Sequence, residues 1–587
     1  MVMGSPVYWI GFDVGGTFID FFAQETQSGE FVMLKVPSSR HRLAEAIAAG
    51  IHRLLHATGI RLDQVSRIVH GTTVVTNQLV ERKGSRVGVL ATAGFRDVLE
   101  IGRMRRPSLY DLYMDKPPPL APRNLCLEVI ERVTAGGQVQ VPLDVVGAKA
   151  VLEELRRRGA EVVAICLLNS YANPVHEEAL TMLCREAGFL YSLSARVSAE
   201  YGEYERWSTA VVNSYVMPQT AGYLRHLAGA VDALGITCPL EIMQSNGGVI
   251  RGEVAAAFPV RLVASGPAAG VAGATVLATQ AGYRDLTTLD MGGTSTDVSL
   301  VVDGRPIYSS ESLVDGYPVR TLGIDIRSIG AGGGSLATLD RMGALQVGPE
   351  SAGSEPGPVC YAAGGIQPTV TDADLILGYL NPQRFCGGER PLDVSAARQA
   401  MEQQIAAPLG VSVEEAAVGI LEVATTNMVG AVRKITTERG HDPRDFTLVA
   451  FGGAGPVHAG LIARELSIPR VLILNQPGLL SANGLLLSDY RTDAYRTFVG
   501  RLDTLDPMAL EAAFVQIEAQ GMEQLFAAQG QVSEFHLTRI VEMCFEGQQH
   551  VIPIVADERP IGAEHLVSLG DTLDRRFQEI YGFLPQT

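Results

Sequence analysis

At 587 residues, with 47% apolar and 19% charged side chains, the chain is too long for one hydrophobic core and divides into roughly two to four domains. A formal net charge of −17 excludes nucleic acid and anionic membrane as bulk partners. Seven scattered cysteines without a C-x-x-C pair exclude a thiolate metal site and predict a reduced, cytoplasmic protein.

The N-terminus lacks a signal peptide, because Asp13 interrupts the apolar run too early. Tyr8–Phe12 predicts a strand that ends in Asp13-Val14-Gly15-Gly16-Thr17-Phe18-Ile19-Asp20 and resumes at Phe21–Ala23. Leu43–His56 has helical amphipathicity. Arg67–Leu79 reads as a short strand, a Gly71-Thr72-Thr73 turn and a helix start, and Val87–Leu90 as another strand. His70 is either a site residue or a satisfied strand-end histidine. Arg103, Arg105 and Arg106, ahead of the proline-rich stretch Pro107–Pro119, are read as a solvated face. Helix 143–159, strand 161–168 and helix 176–188 alternate in βα fashion. Residues 198–223 predict a long helix linking two lobes, and 241–249 a strand running into an Asn-Gly-Gly turn. Residues 262–283 carry no charge, but their Ala, Gly and Ser content and Pro267 predict a buried, closely packed helix, not a membrane span.

The first octapeptide then recurs. Asp290-Met291-Gly292-Gly293-Thr294-Ser295-Thr296-Asp297 lies between Leu286–Leu289 and Val298–Val302, so Asp-x-Gly-Gly-Thr-x-x-Asp appears twice in strand–loop–strand context. Two matching octapeptides predict a duplicated fold with its loops facing each other. Glycines let backbone N–H groups converge on phosphate oxygens, the threonine hydroxyl adds a donor, and a strand-end aspartate holds Mg²⁺ or orients a nucleophile. Asp297 begins the return strand and is expected to act through loop geometry. Gly330, Gly332, Gly333 and Gly334 form a loop against which something approaches closely. After the helix 413–439, the segment 448–459 reads as a strand, a Gly452-Gly453-Ala454-Gly455-Pro456 turn and a helix, an arrangement that suits a nucleotide's adenosine end. His458, just inside that helix, is read as buried.

Two phosphate hairpins followed by a Gly-Gly-x-Gly-Pro turn resemble the acetate/sugar kinase, heat-shock chaperone and actin superfamily. More narrowly, GFDVGGTFID, HGTTVVTNQL, SGPAAGVAGA, LDMGGTSTDVSL, IGAGGGSLA, GPESAGSEPGPVCY, PTVTDADLILGYLNP and FGGAGPVHA, in that order, resemble the hydantoinase A (hydantoinase/oxoprolinase ATPase subunit) family. MCFEGQQH, residues 543–550, resembles the start of that family's C-terminal domain, which is expected to be partial here.

The resemblance implies an α/β fold of two actin-like ATPase lobes, each a mixed five-stranded sheet with flanking helices, plus a partial C-terminal domain. The expected divisions are 7–197, 198–490 and 491–587. It implies ATP and Mg²⁺, with Asp13 and Asp290 catalytic and at the metal. Gly15, Gly16, Thr17, Gly292, Gly293 and Thr294 would cradle phosphate, and Gly332, Gly333, Gly334, Gly452, Gly453, Ala454 and Gly455 would line the nucleotide. The implied activity is ATP-dependent opening of a cyclic amide such as a hydantoin, oxoproline or lactam. ATP-dependent ketone carboxylation is the alternative, and a nucleotide-switched assembly protein is a third. The implied partner is a hydantoinase B-type large subunit.

Overall fold

Two hairpins of the same plan start the two main sheets of the computed structural model, which describes all residues except 1–5, 16–17, 39–41, 105–109, 112, 389, 530–533, 549, 557–558 and 586–587. In the first sheet, Tyr8–Val14, Phe18–Glu25 and Phe31–Pro37 form an antiparallel meander. Val65–Gly71 joins parallel to Tyr8–Val14, and Leu240–Met243 parallel to Val65–Gly71. Val249–Arg251 closes that edge antiparallel, making six strands. In the second sheet, Leu286–Met291 pairs antiparallel with Thr296–Val302 and parallel with Thr447–Phe451, which pairs parallel with Arg470–Leu472. The shared order of strands is the expected two-lobe actin-like α/β architecture, but each main sheet has six strands where five were expected, through the added edge strand Val249–Arg251 in the first and the split third strand in the second.

The third strand breaks the symmetry. In the first sheet it runs unbroken as Phe31–Pro37, whereas in the second it is split into Arg305–Pro306 and Ile326–Ile329, both on Thr296–Val302. The residues between leave the sheet and dock on the first lobe through the hairpin Ser312–Val314/Tyr317–Val319. Val314, Tyr317 and Val319 are buried in the first lobe's core. Arg82 pairs with Asp315 at 2.7 Å, and Arg320 with Glu200 at 2.8 Å.

A four-stranded parallel sheet, in the order Leu190–Leu193, Val162–Cys166, Val87–Thr92 and Cys126–Val129, is inserted in the first lobe. The long helix is Glu203–Ala233. It was expected to link the lobes, but its N-terminal half, including Trp207 and Arg206, is buried on all sides within the first lobe's core. The expected division at 197/198 falls inside this unit for the same reason, since Leu240–Met243 and Val249–Arg251 also belong to the first sheet. Residues 507–581 build a separate core from Leu510, Phe514, Ile552, Ile554, Leu569 and Phe577. Among the described residues no single helix is long and apolar enough to cross a membrane.

The lobes meet at helices Ser265–Gln280 and Leu480–Leu486, which share a core with Val69 and Met243 of the first sheet and Leu286 and Val449 of the second. The charge-free stretch is thus a buried helix, and small residues allow the approach. Gly273 lies so near Gly484 that an added Cβ would be 2.9 Å from the Gly484 Cα. At Gly484 a Cβ would fall on the Ala269 carbonyl oxygen, which is backbone and cannot turn aside. Gly484→Ala is therefore expected to lower stability by about 2 kcal/mol or more in urea unfolding. Gly460→Ala, on an exposed helix face with open space around it, is the control and is expected to be neutral or to add up to about 1 kcal/mol. Equal midpoints for the two variants would refute the close seam.

Candidate active site

The strand registers set the site. Asp13 stands opposite Asp20, and Asp20 opposite Lys35. Asp290 stands opposite Asp297, and Asp297 opposite Ser328. Each octapeptide therefore aligns its first and last aspartates across its own hairpin. Both loops close alike, with Gly15 N donating to Phe18 O at 2.9 Å and Gly292 N to Ser295 O at 3.0 Å. In both lobes the leading aspartate leans on a glycine after the neighbouring parallel strand: a methyl group at Gly71 would fall on Asp13 Oδ1, and one at Gly452 on Asp290 Oδ1.

Like charges directly opposite each other on a sheet repel, and enclosure adds a desolvation cost. Burial, then the Asp20 charge, pushes Asp13 up to about 7 against the opposing pull of Lys35 and the Val14 amide. Burial pushes Asp297 up to about 6, the Ser328 hydroxyl opposing it. Asp290 is raised well above the carboxylate range by burial and then by Asp297, Asp13 and Asp20. The charges of the first hairpin thus reach Asp290 of the second, and the two sheets that carry the hairpins share one core. Lys35, 2.6 Å from Asp20, is the one cation whose charge acts on these four groups among the described residues. Asp13 Oδ1 is sealed from solvent and has no hydrogen-bond partner among the described residues.

The three glycine segments predicted for the second lobe come together. Gly333 N donates to Gly292 O at 3.0 Å, Gly334 N to Gly293 O at 2.7 Å, and Ala454 N to Met291 O at 2.9 Å. A Cβ at Gly332 would meet the Gly293–Thr294 peptide at 2.7 Å, and one at Gly455 would lie 3.2 Å from Leu289 O. These glycines therefore act first by letting backbones touch. The amides of Gly293, Thr294 and Gly453, on exposed residues at the cleft, have no partner in the chain among the described residues. Gly16 and Thr17 lie outside the described residues.

Thr371 binds the same wall, its N and Oγ1 both donating to Gly333 O at 2.7 Å. Asp372 is a clamp, accepting from Cys360 N at 2.8 Å and Thr369 N at 2.9 Å. His70 is the satisfied histidine of the two readings: it is buried, stacked on Phe12, and 2.8 Å from the Tyr223 hydroxyl, and burial lowers it to about 3. His458 is buried with Nε2 3.5 Å from Asp374. Arg103 is tied to Glu205 at 2.5 Å, and Arg105 and Arg106 lie outside the described residues. Sequence reading missed Asp20 and Asp297 as site groups, although both close the repeated octapeptide. It also missed Gly71 and Gly266; a Cβ at Gly266 would stand 3.2 Å from Asp13 Oδ1.

A carboxyl whose pKa is raised by folding holds its proton more tightly folded than unfolded. Its contribution to stability is therefore lost as pH rises from its ordinary value near 3.8 to its folded value. For Asp297 that window ends at about 6. Asp297→Asn is thus expected to gain stability relative to the parent between about pH 5 and pH 7.5, by on the order of 1 kcal/mol. Denaturant unfolding of both proteins at the two pH values measures this, and a constant difference would count against the raised pKa.

The hydantoinase/oxoprolinase family model matches residues 206–494, and the model of that family's N-terminal region matches residues 9–188. The chain is 36% identical to caprolactamase subunit alpha of Pseudomonas jessenii over 99% of its own length and 85% of that protein. It is 36% identical to 5-oxoprolinase 1 of Arabidopsis thaliana over 83% of its length and 42% of that protein. The solved ATP-dependent caprolactamase from Pseudomonas jessenii matches with a TM-score of 0.88 at 35% identity, covering 98% of this chain and 85% of the other. A nucleotide-free acetone carboxylase matches with a TM-score of 0.79 at 28% identity and the same coverage. With both family models matched and the duplicated hairpins carried by sheets that share one core, the chain belongs to the hydantoinase/oxoprolinase family.

Proposed function

We propose that this chain is the ATP-using subunit of an enzyme that phosphorylates the carbonyl oxygen of a cyclic amide, so that water then opens the ring. The observation that supports this reading is that the Asp13 charge reaches Asp290, beside the glycine segments gathered in the second lobe. The γ-phosphoryl group passes to the amide oxygen, ADP departs, and hydrolysis releases the open-chain product with phosphate. The chain's part is positioning and electrostatics. Gly15, Gly16, Thr17, Gly292, Gly293 and Thr294 hold the phosphates, and Gly332–Gly334 with Gly452–Gly455 line the nucleotide. Ketone carboxylation is the second reading, supported by the acetone carboxylase match.

The donor set fits magnesium. Among the described residues it offers carboxylate oxygens, with Asp13 Oδ1 unpartnered and a surplus of negative charge. No group of three or more His, Cys, Asp or Glu side chains able to hold a metal occurs among the described residues. That suits an ion that keeps most of its waters and takes one or two carboxylates plus phosphate oxygens. Asp290 and Asp13 would hold it, and when bound it supplies charge neutralisation. Caprolactamase is named by its subunit, alpha; by extension, a large hydantoinase B-type subunit completes this enzyme, in the cytoplasm.

Asp290→Asn keeps size and shape but removes the charge at the strand end. With the partner subunit, lactam and ATP present, phosphate release is expected to fall by roughly 10²–10³-fold. Thermal unfolding should show stability unchanged or raised, since a repelling group is gone. Turnover within a few-fold of the parent would make Asp290 a turn residue and sink the assignment.

A further inference from the structure

Beside the carboxylates and glycine loops assigned to the nucleotide, one cation among the described residues at this end of the first lobe, Arg261, has no ion-pair partner. Arg261 lies on the turn Pro259–Leu262, three residues before Ala264. Its carbonyl oxygen accepts from Ser245 N at 2.7 Å and Ser245 Oγ at 2.8 Å. Ser245 belongs to the loop after Leu240–Met243, so Arg261 is anchored at the carboxyl ends of the parallel strands, where open α/β sheets bind ligands. Ala264 is left-handed at φ 56° and turns the chain directly into Ser265–Gln280, whose first turn abuts Asp13 through Gly266. A non-glycine residue held there is strained, a feature that clusters at functional sites.

The side chain is oriented but not neutralised. Its guanidinium lies over the Phe258 ring, 4.9 Å from the centroid. Among the described residues it makes no hydrogen bond and no ion pair. Arg491, by contrast, is paired with Asp493 at 3.1 Å. Asp493, whose charge reaches Arg261, is already committed to Arg491 and to the Asn246 amide at 2.6 Å. Arg261 is half-buried, and burial lowers its pKa. A half-buried charge without a protein partner is open to an anion, and a planar guanidinium is a bidentate receptor for planar oxyanions.

We propose that Arg261 receives a small planar oxyanion beside the phosphoryl-acceptor position, either a carboxylate carried by the lactam ring or bicarbonate. The inference rests on the functional reading above and deepens it. An oxyanion on Arg261 means a carboxylate-bearing ring under the first reading and bicarbonate under the second. A neutral lactam would leave the guanidinium bare.

Calorimetric titration of the full chain with 5-oxoproline, with 2-pyrrolidinone (the same ring without the carboxylate) and with bicarbonate separates these sources. Each titration is run with and without a non-hydrolysable ATP analogue. At least one anion is expected to bind, with 2-pyrrolidinone at least tenfold weaker than 5-oxoproline if the ring carboxylate is the ligand. Arg261→Gln is expected to weaken the bound anion roughly ten- to a hundred-fold, and Arg261→Lys to recover part of the loss. If circular dichroism shows that Arg261→Gln does not fold, Arg261→Lys decides, since loss of the fork must itself weaken the anion. Equal binding of the two rings without bicarbonate binding, anion binding unchanged by the substitutions, or binding of none of the three would overturn the proposal. Failure of the nucleotide analogue to bind while an anion binds through Arg261 would instead remove the ATP-dependent reading and leave the oxyanion site standing.

Discussion

Mutual repulsion among carboxylates that the backbone will not let separate is the constraint on which this site depends. Asp13 and Asp20, like Asp290 and Asp297, are fixed opposite each other by strand register, so no rotamer change relieves the pair. Enclosure in the cleft then raises the protonation tendency of all four, most of all Asp290. Such an arrangement weakens the resting fold locally and favours whatever brings positive charge. Under the proposed function a magnesium ion bound with the nucleotide would do that, and its binding would be coupled to relief of this repulsion.

The duplication is faithful in backbone and unequal in charge. Both hairpins close with the same turn, and both leading aspartates press on a glycine of the neighbouring strand–helix segment. At the third strand, however, the first lobe supplies Lys35 and the second only the Ser328 hydroxyl. The first pair is thus half-neutralised by the protein itself, and the demand for an outside cation concentrates on Asp290. Two copies of one octapeptide become two groups with different tasks through one residue on a neighbouring strand.

Much of this was legible because the signals are local. The hairpins, the strand–glycine–helix segment at Gly452–Gly455 and the buried helix 265–280 follow from alternation, glycine placement and absence of charge within short windows. What stayed hidden depends on pairing at a distance. The helix Glu203–Ala233 is buried on all sides through its first half, so it shows no polar stripe to say which lobe holds it, and it was read as a link. The first lobe's reach past residue 198 is set by Leu240–Met243 pairing with Val65–Gly71, a contact no window contains. Asp20 and Asp297 were visible as the last letters of the repeat, but their role depends on the facing register. Gly71 reads as an ordinary turn glycine until Asp13 is seen against it.

The nearness of Asp13 and Asp290 cannot be owed to charge, since both are acidic. It must come from contacts that resist repulsion, and these are made at glycines, mostly backbone against backbone. Gly273 meets Gly484, Gly11 lies where a Cβ would stand 2.5 Å from Ala482 O, and Gly270 takes the edge of the Phe451 ring. Side chains at such points would hold the lobes apart and could adjust; glycines leave nothing to adjust. The polar excursion carrying Asp315, Tyr317 and Arg320 adds a second tie on the first lobe, built from ion pairs and a buried tyrosine. A seam with no slack therefore holds like charges together, and the electrostatic character of the cleft is a consequence of where small residues let two helices cross.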